Sequence, residues 1–289
     1  MKRTINIAFI VVAALAAQVY VGGGLHAHAY VNHADAHHAV AAEASPAAEP
    51  QPDNEFRWHE PLAAGRLIEI KGINGNVEAE PASGGEVEVV AVKRSRRSDP
   101  ESVRIEVVRH AEGVTICAVY PNVEGREANT CAHGSNHSNV HDNDVSVNFT
   151  VRVPAGVRFA GQTVNGKVEA NNLSADVEAR TVNGGINVST TGVASAQTVN
   201  GSITVVMGRA DWSDDLEFKT VNGSIDISAP ASLSTQVDAK TLNGEISTDF
   251  PITVQGTFSR RRLTGTIGGG GRELRLETVN GSVQIRRAS

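Results

Sequence analysis

Thr-Val-Asn-Gly occurs at 163–166, 181–184, 198–201, 220–223 and 278–281, and Thr241-Leu242-Asn243-Gly244 is a sixth copy with one conservative change. Leu263-Thr264-Gly265 reads as a degenerate further copy and Ile73-Asn74-Gly75 as an isolated early one. Counted on the Asn position from 165, the spacings are 18, 17, 22, 21, 21 and 16. A period near twenty residues marks a solenoid or an array, in which each unit buries its apolar side only by stacking on its neighbours.

Aligned on the Asn position, the copies form consistent columns. The preceding residue is always aliphatic: Ile73, Val164, Val182, Val199, Val221, Leu242, Leu263, Val279. The residue three after is always β-branched: Val77, Val168, Ile186, Ile203, Ile225, Ile246, Ile267, Val283. The residue three before is always polar, from Lys71, Gln162 and Arg180 through Gln197, Lys219 and Lys240 to Arg261 and Glu277. A two-residue Asn-Gly hairpin would pair Val164 with Lys167 and Thr163 with Val168, placing the two apolar columns on opposite faces. A coil avoids this. Each Asn-Gly becomes a corner where Gly takes a positive φ and Asn tolerates the left-handed region. Coils then stack at ~4.8 Å, and seven of them span roughly 30 Å. Like columns become ladders: aliphatic inside, Thr hydroxyls beside it, Asn at the corner. Alternation sets each Thr opposite to the Val that follows, so the chain is expected to bend there. Only 4% of the residues are aromatic, which suits a narrow core of Val and Ile rungs. The fold expected is all-β: a single-chain parallel β-solenoid, β-helix-like, with a strand-rich N-terminal cap.

Before the repeats, Arg66–Lys71, Glu86–Lys93 and Asp144–Val153 alternate as strands, and Val103–Arg109 with Val114–Tyr120 flank a hairpin turn. These strands are expected to begin the solenoid and to shield its end, since an open edge invites aggregation. Pro230 and Pro251 fall between repeats, where coil loops belong. The chain is thus divided into a signal peptide at 1–29, an Ala-, His- and Pro-rich disordered linker at 30–60, a β cap and first coil at 61–160, and the solenoid repeats at 161–289.

The segment Val114-Thr115-Ile116-Cys117-Ala118-Val119-Tyr120-Pro121, then Val151-Arg152-Val153-Pro154-Ala155-Gly156-Val157, followed by Asn-Gly coils, resembles the bacterial "putative adhesin" β-solenoid family of unknown function. The resemblance covers about residues 65–289. It implies an exported solenoid at the cell envelope and carries over no catalytic residues. Relatives that accompany envelope-stress signalling imply an alternative role as an accessory or sensing component. The Leu263 copy and the Gly268–Gly271 run depart from the regular repeat and mark a local distortion.

Met1-Lys2-Arg3, the apolar run Ile5–Ala17 and Ala27-His28-Ala29 read as the positive, apolar and cleavage regions of an export signal. An uncleaved anchor is the rival reading, but Asn6 and Gln18 interrupt the stretch. No later transmembrane segment follows, so none is expected in the mature chain. The net charge of −6 becomes more negative once Lys2 and Arg3 are removed, which argues against nucleic-acid binding. In an exported chain, Cys117 and Cys131 are expected to form one disulfide, contributing ~3 kcal/mol by chain entropy. The location expected is the periplasm, cell surface or exterior.

Candidate chemistry is sparse. His133, His137 and His141 recur every fourth residue, with Asp142 and Asp144 following. On a helix they would be a metal face, but the surrounding Gly, Ser and Asn favour a polar loop. His26, His28, His33, His37 and His38 form a second cluster, in the signal and linker. A carbohydrate-active β-helix enzyme would need clustered carboxylates. Glu169, Asp176, Glu178, Asp226, Asp238 and Asp249 are scattered, and no catalytic residue is expected. Lys71, Arg180, Lys219, Lys240 and Arg261 would stack into a basic ribbon able to track an anionic surface glycan. Trp212 and Phe218 are the neighbouring aromatics of the coils, where a ligand platform would be sought first. No cofactor is expected. The role expected is structural or adhesive and non-catalytic, toward an anionic surface glycan or an envelope protein.

Overall fold

A computed structural model describes residues 54–134, 138–254 and 259–288. Its N-terminal strands are β1 Glu55–Pro61, β2 Leu67–Lys71, β3 Val77–Pro81, β4 Glu86–Arg94, β5 Arg104–His110, β6 Gly113–Val119 and β7 Ser146–Val153. The middle holds β8 Arg158–Gln162, β9 Val168–Leu173, β10 Val177–Arg180, β11 Ile186–Thr190, β12 Ala194–Gln197, β13 Ile203–Met207, β14 Leu216–Lys219 and β15 Ile225–Ala229. The last strands are β16 Thr235–Lys240, β17 Ile246–Thr248, β18 Ile252–Val254, β19 Arg262–Ile267, β20 Glu273–Glu277 and β21 Val283–Arg287.

Each regular coil is a strand, an Asn-Gly corner and a second strand. The strand before the corner joins one sheet and the strand after it joins the other. Like strands stack parallel and in register: Ile186 lies between Val168 and Ile203, and Ala179 between Gly161 and Ala196. This is the expected β-solenoid. The core lies between the sheets, and the β-branched column three after each Asn is buried from Val77 to Val283. Small residues such as Ala179, Ala194 and Ala196 face it, so few large rings fit. Phe159 is accommodated by Gly161, where a Cβ would come within 3.0 Å of the ring.

The bend at Thr–Val resolves the phase of the corner. Thr163, Thr181, Thr198, Thr220, Thr241 and Thr278 all point inward and are buried. Each donates its hydroxyl to the Gly carbonyl of the adjacent coil, as Thr198 does to Gly184 at 2.9 Å and Thr278 to Gly223 at 2.8 Å. The aliphatic residue that follows faces outward instead, most openly at Leu242, which is 58% exposed. The inner aliphatic ladder is therefore the column after the corner. At the apex the Asn side chains form a continuous amide ladder, each Nδ2 donating to the next Oδ1 at 2.7–2.9 Å.

The corner glycines serve a different purpose from the one expected. Left-handed backbone is not the common feature: of the ladder corners only Gly75 and Gly281 have positive φ, and no corner Asn does. What they share is close stacking. A Cβ on Gly184, Gly201 or Gly223 would lie 1.9–2.0 Å from the Gly carbonyl oxygen of the neighbouring coil.

Coil order in space departs from coil order in sequence. The corner ladder runs Asn74, Asn165, Asn183, Asn200, Asn222, Asn280, Asn243. The β20–β21 coil is thus inserted between β14–β15 and β16–β17. At the other end β2–β3 is likewise flanked on its outer side by the later strands β6 and β7. Antiparallel strands close both ends: β5 pairs β6, β4 pairs β7 and β1 pairs β4, while β19 pairs β16 and β18 pairs β19. The N-terminal shield is as expected; the C-terminal one takes the place of a coil. Leu263-Thr264-Gly265 is not a corner but the middle of antiparallel β19, where Leu263 faces Ala239. An antiparallel strand alternates with the same period of two, so it mimics the repeat columns. Gly268, Gly270 and Gly271 take positive φ in the turn from β19 to β20, the distortion expected there.

Residues 55–60 are not part of a linker as expected: β1 begins at Glu55 and packs Phe56 and Trp58 against the core. The signal expected at 1–29, the linker expected from residue 30 and the histidines from His26 to His38 lie outside the described residues. Among the described residues, no helix is long and apolar enough to cross a membrane.

Candidate functional site

The outer face of the β2–β8–β10–β12–β14–β20–β16 sheet carries the polar column, and its charges are paired. An acid two residues earlier in the same strand meets five of that face's bases: Glu69–Lys71, Glu178–Arg180, Glu217–Lys219, Asp238–Lys240 and Glu273–Arg275. The five residues expected as a basic ribbon therefore do not form an open one. Lys71 and Lys219 are buried, with side chains 1% and 7% exposed. Arg261 lies in the exposed turn before β19, off the ladder. The scattered acids Asp176, Glu178, Asp226 and Asp238 each meet a base, at Arg209, Arg180, Arg286 and Lys240.

The segment between β6 and β7 folds over one end of this face. Tyr120 is buried and donates its hydroxyl to the Val145 carbonyl at 2.7 Å; burial pushes its phenol up to about 12. The Asn129 amide donates to the carbonyls of Tyr120, Pro121 and Asn139 and so crosslinks the segment. Cys117 and Cys131 form the expected disulfide. Cys117 sits opposite Lys71 in the β2–β6 register, so the bridge draws the following residues over Lys71, whose Nζ donates to the Ala132 carbonyl at 2.7 Å.

His133 is thereby placed over Glu69. Its Nδ1 lies 3.0 Å from Glu69 Oε2, and its ring stacks on His110 with centroids 4.1 Å apart. Thr115 donates to the same carboxylate oxygen at 2.7 Å, and its Oγ1 lies 3.1 Å from His110 Nε2. Burial raises the Glu69 carboxyl, but bonds from Thr115 and His133 and the charge of Lys71 outweigh it, and the pKa falls below the ordinary carboxylate value. Burial, with the neighbouring His133, holds His110 below the usual imidazole value. Glu69, His110 and His133 bring three ligand atoms within 4.8 Å of one another. Of the histidines expected as a metal face, His133 alone among the described residues joins this group. His141 is exposed and pairs with Asp142 at 3.2 Å, and His137 lies outside the described residues. Asp144 faces away, accepting from the amides of Arg96, Arg97 and Ser98.

Beside the cluster runs a groove of about 560 Å³, bordered by Glu112, His133, Arg158, Glu178, Arg209 and Trp212. Trp212 stands in the long connection between β13 and β14, half-buried at its edge. Phe218, expected beside it as a platform, is instead fully buried in the core. The inward phase of β14 places it there.

Two parallel sheets joined by Asn-Gly corners, with antiparallel strands over both ends, define a closed β-solenoid. The Toastrack DUF4097 family profile matches residues 67–286, and the chain belongs to that family. Among solved structures it is similar to a putative cell adhesion protein from Clostridium sporogenes, at 10% identity over 81% of this chain and 100% of that one, with a TM-score of 0.44. It is also similar to a putative adhesin from Bacteroides fragilis, at 11% identity over 81% and 97% with a TM-score of 0.29. A putative adhesin from Parabacteroides distasonis matches at 13% identity over the same shares, with a TM-score of 0.31. No curated protein matches the chain.

Proposed function

We propose that the chain is an exported cell-envelope β-solenoid with a structural or adhesive binding role and no catalytic one. The observation that supports this reading is the pairing of charges on its outer sheet. Hydrolysis by paired carboxylates needs one acid free to protonate and a second free to attack or to activate water. Here Glu69, Glu178, Glu217, Asp238 and Glu273 are each held by a base in the same strand. What remains is a rigid face of alternating charge with a groove along it. Of the two expected partners, a face of both signs fits an envelope protein better than a polyanionic glycan, which would need unpaired bases.

The test is capture by the immobilised mature chain from native envelope fractions, with anionic polysaccharide offered in parallel. Retention of an envelope protein that is lost with Trp212→Ala and Arg209→Gln supports the reading. Retention of polysaccharide alone would move the partner to glycan, and turnover of an oligosaccharide would overturn the non-catalytic role. Capture of a membrane-bound regulator would instead support an accessory or sensing component.

A further inference from the structure

We propose that Glu69, His110 and His133 form a binding site for a divalent transition-metal ion of the zinc or copper class. One carboxylate oxygen and two imidazole nitrogens are a donor set suited to these ions. The donors come from β2, from the end of β5 and from the segment after β6. The β2–β6 pairing, the β5–β6 hairpin and the Cys117–Cys131 bridge bring them together. Glu69 is only 9% exposed, while the two rings are partly exposed and leave the cluster open to solvent on one side.

The donor atoms are already gathered, though not yet oriented as a ligand set. The three donor atoms lie within 4.8 Å, and His133 Nδ1 and Glu69 Oε2 are already 3.0 Å apart. An ion about 2 Å from each donor needs them about 3.3 Å apart. The rings stack within 10° of parallel, so their in-plane lone pairs converge on one ion only once at least one ring turns about its side-chain torsions. Coordination requires the buried Thr115 to give up the link that its hydroxyl now makes between His110 Nε2 and Glu69.

The surroundings hold the donors as outer partners hold metal ligands. Lys71 occupies the other carboxylate oxygen, with Nζ 3.3 Å from Oε1, and leaves Oε2 to the ion. Glu112 lies 3.6 Å from His133 Nε2, an ion-pair distance that a small approach would turn into a hydrogen bond from the ring N–H once Nδ1 coordinates.

The test is calorimetric titration of the full chain with zinc chloride, and separately with copper(II), on the wild type and single variants. Glu69→Gln, His110→Gln and His133→Gln are each expected to weaken one equivalent of binding by at least about tenfold, while His141→Gln leaves it unchanged. The histidines between 26 and 38 offer a rival site, so X-ray absorption of the one-equivalent complex supplies a readout independent of the variants. Two imidazole nitrogens with carboxylate oxygen at about 2.0–2.1 Å are expected. A first shell of imidazoles alone would overturn the proposal. So would undiminished affinity in a folded His110→Gln or His133→Gln chain, or an equal loss with His141→Gln.

Discussion

The Asn280 amide donates to Asn222 Oδ1 at 2.8 Å, although Asn243 lies between the two in the chain. The last coil in sequence order is therefore an interior rung, gripped by β14 and β15 on one side and by β16 and β17 on the other. Deleting residues 272–289 should do more than shorten the solenoid: it leaves two strand edges facing an empty layer. Deleting residues 184–200 removes one regular coil and joins Asn183 to Gly201, preserving the corner and its register. Thermal circular dichroism should show a single cooperative transition for the second variant and none for the first. Equal melting of the two would contradict the intercalated order.

Gly201 tests why corners are glycine. Its added Cβ would sit 1.9 Å from the Gly184 carbonyl oxygen, forcing two rungs apart. Gly201→Ala should destabilise by about 1–3 kcal/mol, the range of an overpacked core. Gly185 is the control, since its nearest neighbour would be 3.5 Å away. Gly185→Ala should stay within about 0.5 kcal/mol of the wild type in urea.

The inward Thr column makes a similarly specific claim. Thr198 is 4% exposed and donates to Gly184. Thr198→Val keeps the shape and removes the donor, so the Gly184 carbonyl loses that bond, at about 1 kcal/mol. An unchanged urea midpoint would show that the hydroxyl ladder contributes nothing.

Asp144 sets an acid limit on the connection before β7. The backbone amide and hydroxyl of Ser98 lead the causes that hold its carboxyl down to about 2, aided by the amides of Arg97 and Arg96. The folded pKa lies below the unfolded one, so the stabilisation is complete above about pH 4, the ordinary Asp value. It is lost as pH falls through about 2. Amide exchange at Arg96, Arg97 and Ser98 should rise across that window. In Asp144→Asn it should already be raised at neutral pH, with a flatter acid limb; a profile identical to the wild type would show that the carboxylate does not hold these amides.

The disulfide positions the histidine cluster. Replacing Cys117 and Cys131 by Ser should remove ~3 kcal/mol of chain-entropy stabilisation. Hydrogen exchange should rise in residues 120–134 and leave β8–β15 protected. If residues 120–134 keep their protection, the Asn129 crosslinks hold the segment without the bridge.

Much of this fold was legible because the columns at Val168, Ile186, Ile203 and Ile225 repeat one environment. The order of the coils was not, since a coil's spacing says nothing of which neighbour it joins. Leu263 misled because antiparallel β19 alternates as the parallel strands do. The cluster at Glu69, His110 and His133 joins residues up to 64 positions apart, beyond any local spacing rule. The Cys117–Cys131 pair ties His133 to β6, but the register that sets Cys117 beside Lys71, and so His133 over Glu69, comes from the structure. The basic column failed as a ribbon because the acid two residues before Lys71, Arg180, Lys219 and Lys240 was not aligned with it, and because Arg261 lies off the ladder.

The intercalated coils also limit how such a protein can change in length through evolution. Between Arg158 and Ala229 a duplicated coil adds one rung to each sheet and meets the same neighbours as before. Outside that interval a duplication must either split a locked pair of coils or displace an antiparallel cover. Relatives of different size are therefore expected to differ by insertions in the middle, with both closures inherited as fixed units.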